Sequence, residues 1–180
     1  MRKSICFVFA VALILTCSNA FAQSTLIVMK AMNGTSKLNG GSVVLGHSNE
    51  IDVFSNSHGE VLCATCSVPS VSDFNVMIKL SAATIALKKL LFSGTPLTSL
   101  DVYYIKQGQT LFTYYKIHME NVKVSSVQES ASSEEPVFAI SFTPSRIAWA
   151  QFKQNPDGSL GTKTVYGWDV DANQFWPFPF

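Results

Sequence analysis

Charge is what this sequence has least of. Lys, Arg, Asp and Glu make up 14% of its 180 residues, with 13 basic against 12 acidic. A near-neutral surface offers no footprint for nucleic acid or acidic lipid, so neither is expected as a partner. Histidine is as scarce. His47, His58 and His118 are all there are, and none stands at a diagnostic spacing from an acidic partner. No Gly-x-Ser-x-Gly, phosphate-loop or His-Glu-x-x-His pattern occurs, so the usual hydrolase, nucleotide and zinc-protease chemistries have no carrier. Glu134 and Glu135 are adjacent carboxylates in a polar turn, and adjacency alone does not build a glycosidase site. The sequence therefore predicts no enzyme and no cofactor. Long apolar runs are also lacking. Only residues 5–17 form one, and they fall short of the roughly 20 residues that a membrane-spanning helix needs.

That run reads as an export signal covering residues 1–22. Arg2 and Lys3 precede it, and Ala20-Phe21-Ala22 supplies the small-x-small pattern of a cleavage site. Acylation at Cys17 is the rival, but Thr16 stands where a small residue is expected before a lipidated cysteine. Arg2 and Lys3 leave with the signal and no acidic residue does, so the formal net charge of +1 becomes −1. Cleavage after Ala22 predicts a periplasmic or extracellular chain with no membrane attachment. Of the four cysteines, Cys6 and Cys17 lie in the signal, so the exported chain keeps Cys63 and Cys66. An oxidising compartment favours pairing of such cysteines.

What remains is rich in strand signals. Residues 25–31 (TLIVMKA) are apolar and β-branched, followed by the turn pair Asn33-Gly34. Short runs follow at 42–45, 51–54 and 74–80, and residues 61–73 have no stable period and read as a loop. Residues 100–106 and 111–127 read as strands. In the latter, Leu111, Thr113, Tyr115, Ile117 and Met119 share one face. Phe112, Tyr114, Lys116, His118 and Glu120 share the other, and His118 is expected to be exposed. Residues 137–152 form another long strand, with Pro144 marking a bulge or an edge. Asn155-Pro156-Asp157-Gly158 is a turn signal, and residues 162–168 make the last strand.

One segment breaks the pattern. Residues 81–92 (SAATIALKKLLF) are strong helix formers. Leu80, Ala83, Thr84, Leu87, Leu90 and Leu91 fall near one face, with Ser81 as cap, Gly94 as terminator and Pro96 beyond. No internal repeat or linker divides the chain. Strands, one helix and more strands predict a mainly β domain over residues 23–173, an antiparallel barrel or sandwich with one helix packed outside. Residues 174–180 form an aromatic and proline-rich tail in which Pro177 and Pro179 argue against a paired strand. The tail is expected to pack on the barrel or dock on a neighbour.

Several pieces occur in a telling order: Gly46-His47, then Glu50 to Val53, Ser72-Asp73-Phe74, the Ala/Leu helix and VKVSS at 122–126. DGSLG at 157–161 and Gly167-Trp168-Asp169 follow. Over roughly residues 25–173 this set resembles the haemolysin-coregulated protein (Hcp) family, the inner-tube subunits of type VI secretion systems. The resemblance implies a compact antiparallel two-sheet β-barrel with one lateral α-helix. It also implies head-to-tail assembly into a ring, usually hexameric, that stacks into a tube and can carry small effectors. The export signal departs from typical family members, which assemble in the cytoplasm.

The residues of these motifs have their own physical reading. Gly158 and Gly161 are expected to supply positive φ in tight turns. Trp168 and Trp149 are expected as packing aromatics, and Asp169 as a cap or bridge near the last turn. Cys63-Ala64-Thr65-Cys66 is the sharpest local motif. It fits a small disulfide pinning its loop, or a bridge between subunits. It also fits a zinc site completed by His47 and His58, or a redox pair lacking the usual βαβ setting. In Hcp-like rings this loop lies near neighbouring subunits, so the resemblance adds a role in locking the assembly.

Overall fold

The computed structural model describes residues 24–62, 65, 68–108, 110–131 and 135–180. The expected signal at 1–22, Cys63, Cys66 and Glu134 lie outside the described residues. Strands β1 (Thr25–Asn33), β2 (Ser36–Lys37), β3 (Ile51–Ser57), β4 (Glu60–Leu62), β5 (Pro69–Val71) and β6 (Phe74–Lys79) precede the helix α1 (Ala82–Ser93). After it come β7 (Leu97–Lys106), β8 (Phe112–Ser130), β9 (Val137–Gln154), β10 (Leu160–Asp169) and β11 (Gln174–Phe175).

Six of these strands close on themselves. The order β9-β6-β3-β1-β7-β8 returns to β9, with every pairing antiparallel. Closure removes the exposed edges that an open sheet would present. It is possible because β8 and β9 are 19 and 18 residues long and pair along most of their lengths, from Tyr115↔Gln151 to Ser130↔Val137. On its other side β9 changes neighbour, meeting β6 from Val137 to Phe142 and β10 from Arg146 onward. Pro144 falls between those two partners, at a position where a missing N–H breaks no ladder on that side. The register shift lies instead in β8, between Val124 and Ser126.

Among the described residues the core cluster is made of apolar side chains. Phe74, Phe138 and Phe142 are at most 1% exposed, and burial of such side chains stabilises by roughly 1.5–3 kcal/mol each. The helix lays Ala83, Thr84, Leu87 and Leu90 against this core and touches β8. Its ends are set locally. The Ser81 N–H donates to Thr84 Oγ1 at 3.1 Å, and Gly94 adopts φ 65° with its N–H on the Leu91 carbonyl. Leu80, expected on the buried face, is 46% exposed because it precedes the cap.

Two stretches differ from the sequence reading. Residues 42–45 form no strand; the loop folds on itself through Ser42 N–H to Glu50 O and Asn49 N–H to Ser42 O. The stretch 61–73 is not loop alone, since β4 and β5 pair as a separate hairpin from Glu60↔Val71 to Leu62↔Pro69. Its strands are three residues each, the second beginning at Pro69, and carry too little period-2 signal to be read locally.

Candidate functional site

Alternation along paired strands puts a set of residues on the outer face of the barrel wall. Leu100, Val102, Ile117, Met119 and Ile147 point into the core, so their chain neighbours point outward. One outward row runs Asp101–His118–Ala148–Gly167 across β7, β8, β9 and β10. The rows beside it run Ser99–Glu120–Arg146–Asp169 and Tyr103–Lys116–Ala150–Val165. Charged residues thus flank a middle that narrows to alanine and glycine.

That outer face is not bare. Residues after Asp169 turn back over it. Gln174 and Phe175 pair with Asp169 and Trp168 as β11, and the Trp176 N–H donates to the Gly167 carbonyl at 3.0 Å. A Cβ on Gly167 would collide with the Trp176 carbonyl oxygen, so only glycine admits the chain there. Beyond it Phe178 stacks flat on His118, and Trp176 and Phe180 pack on either side of Phe178. Arg146 lies over the Trp176 ring and Lys116 over the Phe180 ring, both favourable against a ring's negative face. Lys163 Nζ donates to the Phe180 carbonyl. An apolar groove of about 330 Å³, lined by Val165, Tyr166, Phe175, Trp176 and Pro179, opens beside the segment.

His118 is therefore buried, not exposed as its place on an alternating strand suggests; it retains 8% exposure. The cover comes from a segment some 60 positions further along the chain, which no local pattern reveals. Its Nδ1 lies 2.7 Å from Asp101 Oδ1, and Lys116 Nζ lies 3.0 Å from the same oxygen. Burial alone would raise the Asp101 pKa. The hydrogen bond from His118 and the charge of Lys116 outweigh it, and the carboxyl sits below its ordinary value. Tyr103, next along the face, has its hydroxyl pKa pushed up by burial and by the charge of Asp101.

The motif residues are distributed around this face and elsewhere. Gly46 has φ 82° in the 39–50 loop, and His47 lies 2.8 Å from Glu50 and packs on the Tyr103 ring. Asp169 accepts from Arg146 Nε at 2.7 Å and from the Ala172 N–H at 2.8 Å. These two bonds, the backbone one first, hold its carboxyl below the usual range. Trp168 is half-buried against the core on the opposite side of β10. Asp73 accepts from Ser125 and Thr143 hydroxyls, each at 2.7 Å, tying β6 to the two long strands, while Phe74 fills the core.

The last turn is a separate feature. Asp157 accepts from Ser159 N–H and Oγ, and Gly158 takes φ 85°. Gly161 does not take positive φ. Its constraint is space, because a Cβ would meet the Lys153 carbonyl and Asn155 side chain at 2.8 Å. His58, the other candidate zinc ligand, lies 3.4 Å from Glu60 and packs on Phe74. Among the described residues no three His, Cys, Asp or Glu side chains are placed to hold a metal ion.

Comparison with known proteins decides the family. The model of the family described as "Type VI secretion system effector, Hcp" matches residues 28–151. The chain belongs to the Hcp family. Solved structures carry the same fold. One described as a type six secretion system protein has a TM-score of 0.74 at 20% identity, covering 85% of this chain and 100% of its own. Hcp1 from Salmonella typhimurium has a TM-score of 0.70 at 20% identity, covering 85% and 99%. A type VI secretion system effector from Yersinia pestis has 0.65 at 19%, covering 80% and 99%. Comparison with curated proteins gives no match. The Hcp-family match ends at residue 151, before β10 and the segment that folds back over it.

Proposed function

We propose that this Hcp-family chain is an exported structural subunit that assembles into closed, hexameric rings without catalysing a reaction. Family membership supports assembly. The observation that carries the reading is the set of apolar side chains the folded chain leaves uncovered on its projections. Val43 and Leu45 at the tip of the 39–50 loop are 93% and 84% exposed, and Val61 and Leu62 on the β4–β5 hairpin are 63% and 64% exposed. A soluble subunit gains by covering such groups against another copy. Small effectors in the ring lumen fit the family's role in secretion. In the same reading Cys63 and Cys66 form a disulfide that stiffens the hairpin loop beside a neighbouring subunit.

A second reading is favoured by the expected signal at residues 1–22. Export before assembly suits a secreted binding module that keeps the barrel and forms no tube. Light scattering on residues 23–180, with negative-stain images of the same sample, separates the two. Closed rings of about six copies support the structural subunit. A monomer that persists at high concentration gives the lead to the binding module.

A further inference from the structure

Residues 174–180 cross the outer wall of the barrel as a strap, and little backbone pairing holds them. Gln174 and Phe175 make the ladder pairs, Trp176 adds one N–H bond, and Pro177 and Pro179 have no N–H to offer. Ring packing supplies the rest, and no residue of the strap is fully buried. Beneath it lies the one buried side-chain polar atom among the described residues that has no hydrogen-bond partner, Nε2 of His118. The other ring nitrogen settles where the proton sits. Asp101 is held below its ordinary pKa, so its carboxylate only accepts, and the 2.7 Å contact requires Nδ1 to carry the hydrogen. A neutral His118 therefore turns a bare lone pair toward the Glu120 carboxylate, 3.7 Å away. Two acceptors face each other beneath the Phe178 ring.

We propose that His118 is a pH-sensitive latch for the strap, closed by protonation of Nε2 and loosened by loss of that proton. The inference concerns a single subunit and does not depend on ring assembly. With a proton on each nitrogen the imidazolium donates to Asp101 on one side and to Glu120 on the other. Its charge then lies against the face of Phe178, a favourable contact. Without the second proton, the seated strap keeps an unsatisfied acceptor away from water, at a cost in free energy. Lifting the strap lets water donate to Nε2, so the neutral ring favours the open arrangement. Burying the cation is costly unless opposite charges surround it, and here they do. From β7 the ring faces Asp101, with Tyr103 beyond it. Its own strand β8 brings Glu120 and also Lys116, which lies 3.0 Å from Asp101. From β9 comes Arg146, 3.4 Å from Glu120 and 2.7 Å from Asp169 of β10. The strap presents aromatic rings to His118, and its Phe180 carbonyl is tied to Lys163 of β10. Around the ring three carboxylates stand against the two cations Lys116 and Arg146, and the imidazolium evens the balance.

The test follows hydrogen exchange at the Trp176 amide, which bonds Gly167 when the strap is seated, in the exported chain of residues 23–180. Rates are compared at about pH 5 and about pH 8, on either side of the imidazole range, after correction for the intrinsic rate at each pH. The latch predicts exchange about tenfold faster at the higher pH, the loss of one charge-assisted hydrogen bond, with the amides of β8 little changed. Glu120→Gln should stay slow at both values, because its amide donates to a neutral Nε2 and its carbonyl accepts from a protonated one. His118→Leu has no nitrogen to titrate and should also lose the pH dependence, which separates His118 from His47 and His58. Equal protection of Trp176 in the parent at both pH values overturns the proposal. So does a pH dependence that survives in folded Glu120→Gln or in His118→Leu.

Discussion

The imidazole of His118 lies flat against the ring of Phe178, with 4.0 Å between centroids and 13° between planes. One ring belongs to the barrel wall and the other to the segment that crosses it. Their contact turns an outward-facing strand residue into a buried one, and it closes a polar network that includes Asp101, Lys116 and Glu120.

Phe178→Ala removes that cover while leaving the barrel pairings intact. The expected cost is about 1–2 kcal/mol in denaturant unfolding, since the ring is only half-buried. Diethyl pyrocarbonate should modify His118 faster in the variant than in the parent. Equal modification rates would mean the strap does not shield the imidazole in solution.

Gly167→Ala acts on the same contact from the other side. The added Cβ meets the Trp176 carbonyl and the Ala148 methyl, so the strap must lift or the strand must shift, at about 1–3 kcal/mol. Hydrogen exchange should speed at the Trp176 amide more than at the amides of β8.

Asp101 makes part of the stability acid-sensitive. Its folded pKa lies below its ordinary value of 3.8, so the folded state favours the carboxylate more than the unfolded chain does. That contribution is present above pH about 4 and is lost as the pH falls through the depressed folded value. Asp101→Asn should lower stability at neutral pH and flatten the fall in acid. Parallel stability curves for parent and variant between pH 2 and about 5 would contradict this.

The exposed tip of the 39–50 loop separates assembly from folding. Val43→Asp with Leu45→Asp should leave the unfolding free energy within about 0.5 kcal/mol of the parent, because neither side chain is buried in the subunit. The proposed oligomer should be absent from this variant by light scattering. Core truncation should behave the other way. Phe142→Ala, wholly buried between β6 and β8, should cost about 3–5 kcal/mol.

Local signals went far in this chain. The Ala/Leu run between Ser81 and Gly94 carries propensity, cap and terminator in one segment, and it forms a helix one residue offset from the expected span. The long strand at 111–127 was legible from period-2 alternation, the turn at Asn155 to Gly158 from its residues, and the family from collinear motifs. These are properties that neighbouring residues impose on each other, so the order of side chains by itself determined them. Tertiary structure alone decided which outward faces stay outward. Ala148 on β9 and Gly167 on β10 are ordinary small residues until pairing sets them side by side, where the backbone of Trp176 crosses Gly167. His118 follows the strand period faithfully and is still buried. Alternation fixes the side of the sheet a residue occupies, whereas burial depends on what covers that side, here a segment distant in sequence and held mainly by aromatic contacts.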